Sequence, residues 1–501
     1  MFKILSPFVF LLFCTTSYSQ LLNKKQINDY TKSELLGSLN TYKEFLKLPN
    51  DGNYPDQINQ NLRWCDSTFK KLGFNTQTIV SRGIPHLYAE KIRNKNLPNV
   101  LFYLQIDGQP VDPTAWDQES PFVPQLKDAF GNKISWETLS QKGIDPNYKI
   151  FARSASDSKG PAMCFITALK ICKEKNISPD FNIKIIMDFQ EELSSPTIAE
   201  LVESHRELLL ADRLMIMDGT RHISNIPTLM FGARGIATAT LTVYGAKENL
   251  HSGQYGNYAP NPAFKLAQLL AGMKDKDGKV TIPGFYDGVL ISDEDKKGFA
   301  LVPENKDSLN QRLGIAQEEK VGDSYQEAMQ YPSLNIRGLR SAWVGKEVRT
   351  TIPNLAIAEI DMRLVPETPG ERQLNLLREY LIASGVTIVK GLPTDEQRAK
   401  YPLLANFEIK EGSLPFRTPM ESPIGTWLSN SMDRAVDRHV KVRLTGGSQP
   451  MASFIETLQV PAVSIRIPNP DNNIHGPNEN LRVGNYEEGI RMCLAILTQK
   501  P

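Results

Sequence analysis

Cysteine is scarce and poorly spaced for chemistry: the 501-residue chain has five. Cys14 lies in an apolar N-terminal run, which leaves Cys65, Cys164, Cys172 and Cys493. Cys164 and Cys172 fall on one predicted helix, about 12 Å apart at 1.5 Å per residue and beyond disulfide reach. Their spacing also fits no zinc-finger pattern. The four read as buried free thiols. An excess of one charge is equally absent. The formal net charge is +1 and no basic cluster stands out, which gives no footing for nucleic acid or an anionic membrane. No apolar run reaches the roughly 20 residues of a membrane span, so no transmembrane anchor is expected. No internal repeat or low-complexity tract is visible.

The N-terminus has a character of its own. Lys3 precedes an apolar run from Ile4 to Cys14, and Ser17-Tyr18-Ser19 offers small residues for cleavage. This is the pattern of a secretory signal, residues 1–19, with the mature chain beginning near Gln20 and exported to a periplasmic or extracellular space. Lipidation of Cys14 is disfavoured, because bulky Phe13 stands where a small residue is expected.

A hydrophobic content of 41% and a charged content of 23% belong to a globular protein. The length calls for two domains, or for one with a large insertion. From residue 20 to 231 strands alternate with helices, the signature of an α/β unit with a mostly parallel sheet. One helix is predicted over Lys159–Lys175, opened by Gly160-Pro161. Around Arg234 the pattern changes. Ile236, Thr238, Thr240, Thr242 and Tyr244 alternate, as do residues 356–363, which suits an antiparallel sheet with one wet face. Residues 232–391 therefore read as an inserted second domain, with the α/β unit resuming over 392–501. Within the insert, the polar stretch from Asp275 to Tyr331 reads as helical or loop decoration.

The chemistry gathers at strand ends. Leu101–Leu104 runs into Gln105-Ile106-Asp107, residues 182–187 run into Glu191-Glu192, and 214–217 run into Asp218. A fourth strand, 462–467, leads through a Pro/Asn loop to His475. Ligands collect at the carboxyl ends of parallel strands in open α/β sheets. Oxygen and imidazole donors converging there, with no thiolate, describe a hydrolytic divalent-metal site.

With these residues in order, the chain resembles the co-catalytic zinc peptidases of the carnosinase, non-specific dipeptidase and aminoacylase family. The likeness rests on Asp107-Gly108-Gln109-Pro110-Val111-Asp112, Ser154–Gly160, Glu191-Glu192, Asp218 and Leu250-His251-Ser252-Gly253. It continues through Thr350–Pro353, Arg363–Pro366, Gly446-Gly447-Ser448 and His475–Glu479. It implies a catalytic α/β domain with an inserted ferredoxin-like α+β lid that also makes a homodimer. It also implies two divalent ions, zinc with manganese or cobalt as alternatives, held by Gln105, Asp157, Glu192, Asp218 and His475. Asp157 would bridge them, Asp107 would orient the first ligand, and Glu191 would be the general base. His251 would reach a partner chain's site and hold the oxyanion, Arg363 would clamp a substrate carboxylate, and Thr350 and Ser448 would hydrogen-bond the substrate.

Two departures stand out. Gln105 occupies the position of the family's first histidine ligand; its amide oxygen could face a metal while its NH₂ donates to Asp107. A neutral amide is a poorer zinc ligand than imidazole, which marks the first metal site as weak, suited to a harder ion, or empty. Ala152-Arg153-Ser154 replaces a Gly-Arg-Gly and concerns loop shape. His86, His205, His222 and His439 match no motif position. The function implied is hydrolysis of dipeptides or short peptides by a metal-activated water. The rivals are removal of an N-acyl group from an amino acid and, through Gln105, a metal-poor binding protein.

Overall fold

The computed structural model describes residues 21–447 and 451–501; the expected signal segment, residues 1–19, and Ser448 lie outside them. Thirteen strands build the two main sheets. In chain order they are β1 (Asn75–Ser81), β2 (Ile84–Lys91), β3 (Asn99–Gln105), β4 (Asn182–Asp188), β5 (Arg213–Ile216) and β6 (Thr228–Met230). These are followed by β7 (Gly235–Tyr244), β8 (Ser333–Ser341), β9 (Leu355–Leu364), β10 (Thr387–Val389) and β11 (Leu404–Glu411), then β12 (Val440–Val442) and β13 (Ala462–Arg466).

Eight of them form one sheet in the order β1-β2-β4-β3-β5-β13-β6-β12. Its centre, β4-β3-β5-β13, is parallel, whereas β1 and β2 at one edge and the β13–β6 pair are antiparallel. The sheet is mixed, and parallel where the site lies. β3 alternates between two cores. Phe102 and Leu104 join Ile183, Ile185 and Val463 under α1 (Lys24–Leu46), α2 (Lys159–Glu174) and α3 (Val483–Leu497). Leu101 and Tyr103 face Ile198, Leu201, Phe454 and Leu458 on the other side. Burial on both faces explains why the sequence here reads as continuous apolar runs. Lys184, inside fully buried β4, reaches out to donate to the carbonyls of Leu208 and Leu210, each at 2.8 Å.

The second sheet has the order β8-β9-β7-β11-β10, antiparallel except for β10 against β11. Along β7, Ala237, Ala239, Leu241 and Val243 are buried against the helices Pro262–Ala271 and Gly370–Ala383, while the threonines between them face outward. The expected boundary at Gly391 falls short, because β11 lies beyond it and is a full partner of β7. Its alternation repeats that of β7 and β9, but it follows a break at Pro393 that resembles a return to the first domain. The polar stretch 275–331 forms the short helices Asp293–Ala300, Lys306–Leu313 and Tyr325–Ala328, started by Ser292, Asn305 and Ser324 as side-chain caps. The four described cysteines are free and buried. Among the described residues no helix is long and apolar enough to cross a membrane.

Candidate metal centre

Two hydrogen-bonded hubs set the site. The loop before α2 is organised by Glu479, which is fully buried. Its carboxylate accepts from Arg153 Nη1 (2.7 Å), from the backbone N–H of Ser154 (2.9 Å), Ser156 (2.7 Å) and Asp157 (2.9 Å), and from Ser156 Oγ (2.7 Å). Five charge-assisted bonds on one carboxylate fix the position of Asp157. The N-cap of α2 is Ser158, not Asp157. Ser158 Oγ instead donates to Asp157 Oδ1 (3.0 Å) and Asp218 Oδ1 (2.9 Å). Replacing Glu479 by Ala strands buried Arg153 and several N–H donors. We expect Glu479→Ala to lose about 3–5 kcal/mol of stability, read by urea unfolding.

The second hub is Asp107. Its Oδ1 accepts from the N–H of Glu191 and its Oδ2 from that of Glu192, both at 3.0 Å. The single 3-10 turn Glu191–Leu193 thereby sets two adjacent glutamates at the end of β4. The expected bond from the Gln105 amide to Asp107 is not formed: both oxygens of Asp107 are engaged by backbone, and Gln105 Nε2 and Oε1 are buried without a partner. Asp107 positions the glutamate turn rather than the first ligand.

Asp157, Glu192 and His475 offer donor atoms that all lie within 4.8 Å of one another. His475 Nε2 is 3.0 Å from Asp157 Oδ2 and 3.4 Å from Glu192 Oε2. Gln109 Nε2 donates to Glu192 Oε2 at 2.7 Å. Two carboxylates and one imidazole, with the carboxylates oriented by neighbouring donors, fit a zinc-type ion with an open position. Protonation fits as well. Burial, then the charge of Asp157, raises Glu192 to about 8, and burial raises Asp157 to about 6. The hydrogen bond that His475 donates to Asp157 raises His475 to about 9. Both His475 and Glu192 thus carry protons near neutrality that a cation must displace. At pH 7 zinc binding is expected to release about one to two protons, and to tighten as pH rises toward 9. Calorimetry in buffers of different ionisation enthalpy measures this, and no buffer dependence would contradict it.

The other expected site residues lie elsewhere. Asp218 neighbours Asp157 through Ser158 but is not one of the three clustered donors. His251 is exposed at the end of a short strand and accepts from the N–H of Gly253 (3.1 Å). Thr350 is exposed and pairs through its carbonyl with the N–H of Ser252 (3.4 Å). Arg363, on β9, lies 3.9 Å from Asp361. Among the described residues no hydrogen bond or ion pair joins His251, Thr350 or Arg363 to the cluster of the same chain. The four unmatched histidines make ordinary polar contacts: His86 with Thr197, His205 with Ser204, His222 with Glu304, and His439 with Asp433. A cavity of about 610 Å³ opens beside the Asp218 loop, between Thr220–Ser224 and the short helices Lys306–Leu313 and Tyr325–Ala328. It is not lined by the three clustered donors.

Sequence reading missed the roles of Glu479, Ser158, Gln109 and Arg466. The first three stand inside quoted motifs, so their presence was visible and their bonds were not. Arg466 ends an apolar strand where an arginine is usually a solvated terminus; here it is 6% exposed.

A parallel-centred sheet with this cluster at its carboxyl ends defines a metal-dependent hydrolase built on the α/β plan. The chain belongs to peptidase family M20/M25/M40, whose model matches residues 101–499. It is similar to a Cys-Gly metallodipeptidase of Schizosaccharomyces pombe, 26% identical over 407 residues and covering 78% of each chain. It is also similar to the human Beta-Ala-His dipeptidase, 25% identical over 426 residues, 83% of this chain and 77% of that one. Among solved structures it superposes on an M20 family metallo-carboxypeptidase from Sulfolobus solfataricus with a TM-score of 0.72 and 26% identity, covering 92% of this chain and 98% of that one.

Proposed function

We propose that the chain hydrolyses dipeptides or short peptides, using a divalent ion held by Asp157, Glu192 and His475 and Glu191 as general base. Zinc is the ion this donor set suits, with manganese or cobalt as alternatives. The observation that carries the proposal is the turn gripped by Asp107, which sets half-buried Glu191 directly before Glu192, one of the three clustered donors. A divalent ion bound there supplies Lewis acidity, brings the pKa of a coordinated water toward neutrality and offsets the crowded negative charge. Glu191 takes a proton from the attacking water and returns it to the leaving amine. The named activities of the relatives support dipeptides as substrates. Steady-state rates on a dipeptide panel, beside a panel of N-acetyl amino acids, with zinc, manganese and cobalt in turn, test this. Turnover confined to the N-acetyl series makes the chain a deacylase, and no turnover with any metal makes it a binding protein.

A homodimer through the second sheet belongs to the same proposal. β8 is an edge strand, and Ile336, Leu339, Val344 and Val348 are exposed along it and the loop after it. His251, exposed in one chain, would then be the oxyanion donor of the other, with Arg363, Thr350 and Ser448 as substrate contacts. His251→Ala is expected to lower kcat about 100–1000-fold. Mixing His251→Ala chains with Glu191→Gln chains should restore part of the activity, since each hybrid dimer regains one intact site. Failure to restore it places His251 outside the partner's site. Export through the segment before Gln20 completes the proposal, and the mass of the mature N-terminus tests it.

A further inference from the structure

Three neighbouring strands bring three unlike side chains into one row. Tyr103 on β3 pairs with Ile216 on β5, and Ile216 pairs with Ser464 on β13. The ladder runs on, with the N–H of Met217 donating to the carbonyl of Tyr103 at 3.1 Å. Two residues further along stand Gln105 and Arg466, the last residues of β3 and β13, and Asp218, just past the end of β5. This is where the first of two metals would be held: a ligand from the end of β3, the bridging Asp157, and Asp218.

The donors there do not suit a dication. Gln105 brings a neutral amide, and both of its polar atoms are buried with no hydrogen-bond partner. Two strands over, on β13, against Gly219 and so next to Asp218 along the chain, lies a positive charge that the fold itself supplies. Arg466 is buried, and its guanidinium is packed onto Gly219, the residue after Asp218; a Cβ on Gly219 would fall on Nη1. Gly219 has φ 92, so a glycine serves both the left-handed backbone and the close approach. Burial lowers the guanidinium's pKa, while the charges of Asp218, Asp157 and Glu191, in that order, raise it again. Arginine remains charged in such surroundings.

We infer that the Arg466 guanidinium takes the place of the first metal, so that the centre holds one divalent ion, on Asp157, Glu192 and His475, beside one built-in cation. This rests on the proposed metal site and fixes its stoichiometry. A guanidinium next to Asp218 neutralises the carboxylates that a second ion would bridge and repels that ion. It also explains why Gln105 can replace a histidine without leaving Asp218 uncompensated.

The test is a metal count on the full-length protein by native mass spectrometry and elemental analysis, after saturation with zinc and, separately, manganese. Wild type is expected to retain one ion per chain with either metal. Gln105→His alone, with Arg466 still in place, is expected to remain at one. The Gln105→His/Arg466→Met double variant, checked for folding by circular dichroism, is expected to take up two. Two ions in wild type or in Gln105→His overturn the inference and leave the peptidase proposal intact, as does a folded double variant that stays at one. No ion in wild type overturns both. If the double variant does not fold, the counts for wild type and Gln105→His decide between these outcomes.

Discussion

Glu191→Gln is expected to reduce kcat about 10²–10⁴-fold while leaving the metal content unchanged. The substitution keeps the shape of the side chain, and the backbone N–H of residue 191 still donates to Asp107, so the turn survives. Asp157, Glu192 and His475 are untouched. What is lost is the capacity to accept a proton. Burial pushes the Glu191 carboxyl well above its ordinary range, and the charges of Asp218, Asp157, Glu192 and Asp107 push it further. A carboxylate held above its usual range is a stronger acceptor, and matching it to the operating pH is what a general base requires. Rates measured at saturating metal, beside elemental analysis of the same sample, make the comparison. Full activity in the variant removes Glu191 from the base role, and loss of metal together with activity makes it a ligand instead.

His475→Ala is expected to weaken zinc binding by more than about 100-fold, since even groups that only orient a ligand are worth 10–100-fold. Two carboxylates then remain from a donor set of three. The backbone cost is unchanged, because His475 already sits at φ 62 and alanine has the same Cβ. Asp157 and Glu192 also lose the imidazolium that offsets their charge in the metal-free protein. Metal retained after dialysis should fall to a trace, and activity should return only at high added metal. A variant that keeps its ion through dialysis shows that His475 is not a ligand.

The strand-end residues were readable because each follows a short apolar run at a place where a buried sheet leaves only its carboxyl end open. Glu192 and His475 were therefore singled out at strand ends, Asp157 came only through the resemblance carried by Ser154–Gly160, and the three stand together in space. The bonds that hold them were not readable. Glu479 lies far from Asp157 in sequence, and nothing local to either says that one carboxylate gathers five donors of the other's loop. Asp107 was given the wrong partner because its neighbour Gln105 is two residues away, whereas the glutamate turn it grips comes from another strand. The end of the inserted domain was misplaced because β11 follows a proline-containing break, and its place beside β7 is a matter of long-range pairing.

By itself, the sequence determined the α/β class, the interruption by a second sheet, the free buried cysteines and the residue types of a carboxylate–imidazole metal site. Each of these follows from periodicity or from short stretches of chain. Tertiary structure alone decided which donors cluster, what orients them, and that Arg466 is buried beside Asp218. An arginine at the end of an apolar strand looks the same in sequence whether it reaches water or turns inward. Only the register of β3, β5 and β13, with a glycine leaving room at position 219, gives its charge a place among the carboxylates.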